Sequence, residues 1–129
     1  MLGAEAAAFD IGNTTGVSLL GSVGVQVDTN HVNGNTVGVS LAQGATGNFI
    51  RNNTIGVGAN NTPIGNTTGI SFAQNSNGNL VGGLIGNDPQ TNTIAYNQRG
   101  INVTQNSTQN EIRANSIFAN TILGIDLDG

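Results

Sequence analysis

Short segments in which apolar and polar residues alternate run along the whole chain, and one such segment recurs. An asparagine is followed three or four residues later by a glycine and then by two apolar residues that flank a polar one, as in Val39-Ser40-Leu41. This period-two alternation is typical of a half-buried β-strand, and no apolar spacing of helical type persists over two turns. The recurring glycines are Gly16, Gly38, Gly69, Gly100 and Gly124.

The spacing of these glycines defines a repeat. Consecutive members lie 22, 31, 31 and 24 residues apart, and Asn48, Asn79 and Asn110 keep the same 31-residue interval. Units of this length that hold short strands and no helix are typical of a parallel β-solenoid, whose coils stack about 4.8 Å apart. We therefore predict an all-β solenoid of about five coils, starting near residues 16, 38, 69, 100 and 124.

A second repeat, Asn-x-[Val/Ile]-x-x-Asn-x-[Val/Ile], lies between these segments. It starts at Asn30, Asn48 and Asn110, with a degenerate copy at Asn79. Since a buried amide without partners costs about 1–3 kcal/mol, repeated asparagines predict inward side chains that bond the backbone and one another. The predicted structural ladder comprises Asn13, Asn35, Asn66 and Asn97 in one column and Asn48, Asn79 and Asn110 in another.

The two 31-residue units contain extra polar residues, at about 56–62 and 86–90, with both prolines beside or within them. We predict that these are surface loops that leave the solenoid at one corner. Residues 1–129 are interpreted as a single domain and as a segment of a longer protein. In this interpretation, residues 1–15 form a partial coil or an N-terminal cap.

Composition and charge exclude several classes of function. Among 129 residues there are 20 Gly, 21 Asn and 14 Thr, and this frequency of poor helix formers argues against a helical bundle. Three Arg and no Lys cannot neutralise the phosphates of an ordinary nucleic-acid site. No segment is apolar enough for a membrane span, and the lack of Cys excludes disulfides and thiolate-bound metals.

Several strings resemble those of a known fold family. Asn53-Thr-Ile55, Asn92-Thr-Ile94 and Gly69-Ile-Ser-Phe72 belong to a pattern that extends from Leu2 to Leu127. The pattern is similar to that of bacterial proteins of the pectin-lyase-like superfamily, and the resemblance implies a right-handed single-stranded parallel β-helix. It does not imply an activity, because the fold occurs in lyases, hydrolases, epimerases and non-catalytic surface proteins.

The catalytic strings of that superfamily are missing here. Asn-Thr is never followed by Asp, as in the polygalacturonase-like hydrolases, and no arginine starts the Arg-x-Pro-x-x-Arg string of the pectate-lyase-like enzymes. Arg51 and Arg113 each follow an isoleucine, so we expect them in one outward column two coils apart. There, with Glu111 nearby, they are candidates for contact with an acidic sugar, although solvated charges on an outer face explain them as well.

We predict no catalytic or cofactor-binding residues. The metal candidates are Asp126 and Asp128, which have the spacing of the first ligands in an oxygen-ligand calcium loop. Calcium is therefore the one cofactor that the sequence suggests.

The main functional interpretation is a non-enzymatic structural or interaction segment of an exported or cell-surface bacterial protein. One alternative is the non-catalytic part of a polysaccharide-active, pectin-lyase-like enzyme. Another is an ice- or carbohydrate-binding solenoid with one outward hydroxyl per coil, at Thr36, Thr54, Thr93 and Ser116. The expected partners are a polysaccharide and a second copy, which would associate head to tail through open β-helix ends.

Overall fold

The computed structural model describes residues 12–104 and 106–127. Short strands dominate this part of the chain, together with one 3₁₀ turn at Ala59–Asn61 and a set of tight corners. The strands are β1 Thr15–Leu20, β2 Gln26–Asp28, β3 His31–Val32, β4 Val37–Ala42, β5 Phe49–Arg51, β6 Thr54–Ile55, β7 Thr68–Phe72, β8 Leu80–Gly82, β9 Leu84–Ile85, β10 Asp88–Pro89, β11 Thr93–Ala95, β12 Arg99–Val103, β13 Glu111–Arg113, β14 Ser116–Phe118 and β15 Leu123–Asp126.

The chain passes in rotation through three parallel sheets. The first sheet has the order β1-β4-β7-β12-β15, the second β2-β5-β8-β13, and the third β3-β6-β11-β14. We call each passage through the three sheets a circuit. Because every strand of these three sheets pairs with its equivalents in the neighbouring circuits, the prediction of an all-β fold with parallel pairing is confirmed.

The strand register aligns the repeat glycines. In the first sheet Val17 pairs with Val39, Val39 with Ile70, Ile70 with Ile101, and Ile101 with Ile125. The residue before each of these apolar residues is the repeat glycine, so the five glycines occupy equivalent positions in five successive strands. Their offsets of 22, 31, 31 and 24 residues are therefore the lengths of the circuits.

The core lies between the three sheets. Each circuit contributes one inward residue from the second sheet, one from the third and two from the first, and these are stacked on their equivalents. Burial is complete for the middle circuits: Val39, Leu41, Ile50, Ile55, Ile70, Phe72, Val81, Ile94 and Ile101 are fully inaccessible to solvent. Val, Ile, Leu and Phe favour such positions because they pack well on a pleated surface.

At many corners, one residue in the left-handed backbone conformation precedes an inward asparagine. Gly47 and Gly78, with φ of 65° and 67°, precede Asn48 and Asn79. Glycine adopts this conformation without a steric penalty. Non-glycine residues take the same place at Thr29, Asn52, Tyr96, Gln109, Ala114 and Ala119, with φ between 51° and 63°.

The two longer circuits differ in where their extra residues leave the stack. In one, residues 56–65 follow β6 and are closed by a bond from the Ile64 N–H to the Gly56 carbonyl of 3.0 Å. In the other, residues 83–91 follow β8 and form the antiparallel hairpin of β9 and β10. The prediction that both loops share one corner was therefore wrong. One insert follows a strand of the third sheet and the other a strand of the second. The sequence does not show this difference, because the two inserts have equal length.

The predicted partial coil or cap at residues 1–15 lies largely outside the described residues. Its described part joins the first circuit, in which β1 begins at Thr15.

Candidate functional site

Asparagine side chains line all three corners of the stack. They form three columns that run from circuit to circuit, which we call ladders. The first ladder comprises Asn13, Asn35, Asn66, Asn97 and Asn120; the second comprises Asn48, Asn79 and Asn110; the third comprises Asn30, Asn53, Asn92 and Asn115.

Each inner rung of a ladder bonds to the rungs on both sides and to the backbone. The Asn66 Oδ1 accepts from the backbone N–H of Asn35 at 2.9 Å and from its Nδ2 at 3.1 Å. The backbone N–H and Nδ2 of Asn66 in turn donate to Asn97 Oδ1, both at 2.9 Å. The Nδ2 also donates to the Val32 carbonyl at 3.1 Å. The amide thus satisfies backbone groups that a tight, buried corner would otherwise leave unpaired.

The second and third ladders repeat this geometry. The backbone N–H and Nδ2 of Asn48 donate to Asn79 Oδ1 at 3.0 and 2.9 Å, and those of Asn53 donate to Asn92 Oδ1 at 2.9 and 3.0 Å. Asn48, Asn92 and Asn97 are completely buried. Every rung described here has the same polarity, because N–H donors point towards the circuit that follows in sequence.

The sequence repeat placed the second ladder correctly but aligned Asn30 with the wrong column. It grouped Asn30 with Asn48, whereas the strand register places Asn30 beside Asn53, and Val25 occupies the position beside Asn48. The strings Asn30-His-Val, Asn53-Thr-Ile, Asn92-Thr-Ile and Asn115-Ser-Ile share the pattern Asn-x-[Val/Ile]. That pattern signals an inward asparagine before each strand, but the strings at Asn48, Asn79 and Asn110 share it, so it does not separate the third ladder from the second.

Arg51 and Arg113 lie in one column of the second sheet. Strand pairing sets Asp28 beside Arg51 and Arg113 beside Gly82, so the column reads Asp28, Arg51, Gly82, Arg113. The Arg51 guanidinium lies 4.3 Å from the centre of the Phe49 ring, and its buried Nε has no hydrogen-bond partner among the described residues. Arg113 forms an exposed ion pair with Glu111 at 2.9 Å. The two cations therefore have separate local contacts.

Asp28 has two side-chain donors. Hydrogen bonds from Thr29 Oγ1 at 2.6 Å and from Asn52 Nδ2 at 3.2 Å stabilise the carboxylate and, with a smaller contribution from the charge of Arg51, lower the pKa of Asp28 below its usual 3.8. The Asn52 amide also donates to Gln90 Oε1 at 2.8 Å, which connects this site to the end of the hairpin excursion.

Of the two metal candidates, the structure describes Asp126. Asp126 accepts a bond of 2.8 Å from Arg99 Nε, an ion pair across neighbouring strands of the first sheet. Asp128 lies outside the described residues. Within residues 12–104 and 106–127, no group of three or more His, Asp or Glu side chains is arranged to hold a metal ion.

A polar groove of about 390 Å³ follows the outside of the first-ladder corner. Amide and hydroxyl groups from four circuits and one aromatic ring line it: Asn35, Gly65, Asn66, Thr67, Tyr96, Gln98 and Thr121. The Tyr96 ring packs edge-on against Phe118 with ring centres 6.0 Å apart, which holds the tyrosine in place. This groove was not predicted, because its residues come from different circuits and share no local motif.

The predicted hydroxyl column is only partly aligned. Thr54, Thr93 and Ser116 are in register in the third sheet, and the fourth member of their column is His31. Thr36 belongs to another column, at the first-ladder corner. Its equivalent in the next circuit is Thr67, because backbone bonds pair Asn35 with Thr67 and Thr36 with Thr68. A second hydroxyl column, Ser18, Ser40 and Ser71, lies on the first sheet.

No family model, curated protein or solved structure matches this chain. In the described part of the chain, no helix has the length and apolar character that a membrane span requires.

Proposed function

We propose that the three sheets form a right-handed single-stranded parallel β-helix of about five coils that acts as a non-enzymatic structural and interaction module. The observation that carries this proposal is the continuity of the asparagine ladders through successive circuits. Buried amides joined in this way specify one corner geometry for each circuit, and a core with the same residue types in every layer stacks without an irregular cavity.

The surface of the stack suits a contact or spacer role. On the first and third sheets, the outward columns Ser18-Ser40-Ser71-Asn102 and His31-Thr54-Thr93-Ser116 are polar. Among the charged residues, Arg99 pairs with Asp126 and Arg113 with Glu111. The resemblance of the repeat to the pectin-lyase-like superfamily supports a place in an exported or cell-surface bacterial protein. Within that superfamily, the chain is proposed to be one of the non-catalytic members or a non-catalytic part of a larger polysaccharide-active enzyme.

The test of the non-enzymatic role is an assay on polyuronates, with and without calcium. We expect neither unsaturated products nor new reducing ends when the protein assayed is shown to be folded by a cooperative melt. Absorbance of an unsaturated product that disappears in Arg51→Ala or Arg113→Ala, while Asn87→Ala retains it, would overturn the proposal.

A second candidate function is polysaccharide binding in the groove at the first-ladder corner. The groove offers neutral donors and acceptors from several circuits beside the Tyr96 ring, a combination that suits the hydroxyls and the apolar face of a sugar. An uncharged chain is the favoured ligand, because Arg51 and Arg113, the candidates for an acidic sugar, lie on the second sheet and already have local contacts.

This candidate is tested by titrating the chain with neutral and acidic oligosaccharides while backbone amide signals are followed by NMR. We expect shifts at Thr67, Gln98 and Thr121 with the neutral ligand, and their loss in Gln98→Ala. Thr108→Ala, an exposed polar change at a different corner, is the matched control. Shifts centred on Arg51 and Arg113 with an acidic ligand would move the site to the second sheet.

A further inference from the structure

The hairpin of β9 and β10 contains an Asp-Pro sequence, Asp88-Pro89, and both residues are exposed to solvent. Proline has no N–H, so its nitrogen cannot attack the aspartate side chain to form a succinimide. The Asp88 carboxyl can instead attack its own main-chain carbonyl carbon, which closes a cyclic anhydride and breaks the bond to Pro89. Whether the structure favours this reaction depends on the groups that surround the carbonyl and the carboxyl.

The Gln90 side chain contacts both groups of that reaction. Its Nε2 donates to the Asp88 carbonyl oxygen at 3.1 Å and to Asp88 Oδ2 at 3.4 Å. This carbonyl belongs to the Asp88–Pro89 peptide bond, so the donor stabilises the negative charge that its oxygen gains when the carbon is attacked. The longer bond keeps the carboxyl close to the carbonyl that it would attack.

A directed series of hydrogen bonds fixes the orientation of the Gln90 amide. The Asp28 carboxylate can only accept, so the Asn52 group bonded to it at 3.2 Å is the NH₂. The same Asn52 Nδ2 donates to Gln90 Oε1 at 2.8 Å, which leaves Gln90 Nε2 to face Asp88. Since Gln90 is only 7% exposed, water competes little for its amide. The fold therefore aims a donor at the Asp88 carbonyl.

The backbone of the hairpin holds the Asp-Pro bond in place and leaves it open to water. β10 pairs antiparallel with β9, with Pro89 opposite Leu84, and the Gln90 N–H donates to the Gly83 carbonyl at 2.8 Å. In the described part of the chain, no strand pairs with the other edge of β10. Water can therefore reach the carbonyl at which an anhydride would form.

We propose that Asp88–Pro89 is a self-cleavage site, at which the Asp88 carboxyl is the nucleophile and Gln90 is the oxyanion donor. The protonated carboxyl forms a C–O bond to its own main-chain carbonyl carbon, and the carbonyl electron pair moves to the oxygen that Gln90 binds. Collapse of this intermediate breaks the C–N bond, and the carboxyl proton passes to the Pro89 nitrogen, which leaves as a secondary amine. Water then opens the anhydride to two carboxyl groups, so the net reaction is hydrolysis of one peptide bond.

Cleavage should be faster in acid, because the carboxyl enters the reaction protonated and its proton goes to the leaving nitrogen. β9, the strand paired with β10, carries no titratable group. A hydrogen bond from Thr29 and then one from Asn52 lower the pKa of Asp28, so this carboxylate remains an acceptor in mildly acidic solution. The other charged groups on the neighbouring second sheet are Arg51, which lies beside Asp28, and the Arg113–Glu111 ion pair near the base of the hairpin.

A cut at this bond leaves the three parallel sheets intact. β9 and β10 belong to none of these sheets. Strands before the cut pair with strands after it in all three: β7 with β12, β8 with β13, and β6 with β11. The product is therefore a nicked stack with a new carboxyl end and a new amine end exposed on its surface.

The test compares the rate of cleavage in the folded chain with that in the same chain unfolded in urea, at the lowest pH that retains a cooperative melt. Mass spectrometry measures the products that end at Asp88 and begin at Pro89. We expect the folded chain to be cleaved about tenfold or more faster, since one oxyanion donor contributes about 10²–10³ in well-formed sites. In heavy-oxygen water, label should enter both carboxyls of Asp88, because water can open the anhydride at either carbonyl.

Variants separate the Gln90 contact from the general stability of the hairpin. Gln90→Ala should lower the rate in the folded chain to that in urea, and Asp88→Ala should abolish cleavage. Asn52→Ala should also slow cleavage, because the Gln90 amide loses the partner that orients it. Alanine fits this left-handed corner position, as Ala114 shows with φ of 56°. Gln109→Ala, at a corner with φ of 58° outside the network, is the matched control and should leave the rate unchanged.

A folded chain that is cleaved no faster than the unfolded chain would overturn the inference. So would a wild-type rate in Gln90→Ala or, if that variant does not melt cooperatively, in Asn52→Ala. Label confined to the main-chain carboxyl of Asp88 would show that water attacks directly and would reject the Asp88 nucleophile. The two products should elute together at neutral pH and separate in urea, and products that separate without urea would reject the nicked stack.

Discussion

Replacement of one buried rung, Asn66→Leu, tests whether the ladder stabilises the fold. If it does, the substitution should lower the free energy of unfolding; if the asparagines are buried without contributing, it should not. The Asn66 side chain is 2% exposed and makes four hydrogen bonds, two as acceptor and two as donor. Leucine has a similar size and is more apolar. A simple count of buried apolar area would therefore predict a more stable protein.

The structure predicts the opposite, because the four bonds are not equally replaceable. Without Asn66, the Val32 carbonyl still accepts from the Gly56 N–H at 2.9 Å, and Asn35 Nδ2 still donates to the Asn33 carbonyl at 3.0 Å. The backbone N–H of Asn35 loses its acceptor inside the corner. An orphaned buried donor costs about 1–3 kcal/mol, and the other lost bonds contribute about 1 kcal/mol each, partly offset by leucine burial. We expect a net loss of about 2–4 kcal/mol.

Denaturant unfolding monitored by circular dichroism measures this loss, with Asn87→Leu in the exposed hairpin turn as the matched control. The control should change stability by less than about 0.5 kcal/mol. Amide hydrogen exchange adds a local readout: the Asn35 N–H should exchange faster in Asn66→Leu, whereas the Asn66 N–H keeps its acceptor on Asn97. A neutral or stabilising effect, or unchanged exchange at Asn35, would refute the reasoning.

Three further predictions follow from the same contacts. Gly69→Ala places a Cβ 2.4 Å from the Gly100 carbonyl and should lower the free energy of unfolding, measured by thermal melting, by about 2–4 kcal/mol. Gly124→Ala, which places a Cβ 3.2 Å from the Ile117 methyl, should lower it by less than about 1 kcal/mol, and equal losses would contradict the stacking. Ala119→Gly should raise stability by about 0.5–1 kcal/mol, because Ala119 has φ of 51° and glycine relieves that strain; destabilisation would contradict it. The folded pKa of Asp28 lies below 3.8, so its carboxylate stabilises the protein above that pH, and this contribution is lost as pH falls through the lower folded value. In Asp28→Asn, the free energy of unfolding should therefore depend less on pH in that range. An unchanged pH profile would argue against the Thr29 and Asn52 bonds.

The residues of the repeat by themselves determine an all-β fold with parallel strand pairing. Alternation in Val39-Ser40-Leu41 predicts a strand, the 22- to 31-residue recurrence of the glycine predicts its partner one circuit away, and a repeated buried amide has few physical explanations other than a ladder. These are local or periodic properties, because every circuit must satisfy the same backbone groups with the same side chains.

Only the tertiary structure decided how the columns line up and what they create between circuits. The sequence alone did not show whether Asn30 belongs to the second or the third ladder, because the pattern Asn-x-[Val/Ile] occurs before strands of both the second and the third sheet. It also did not separate the corners from which the two inserts leave. The groove beside Tyr96 and the column from Asp28 to Arg113 depend on strand register, which places residues that are far apart in the chain beside one another. Register is a property of the stacked circuits, and no single circuit contains it.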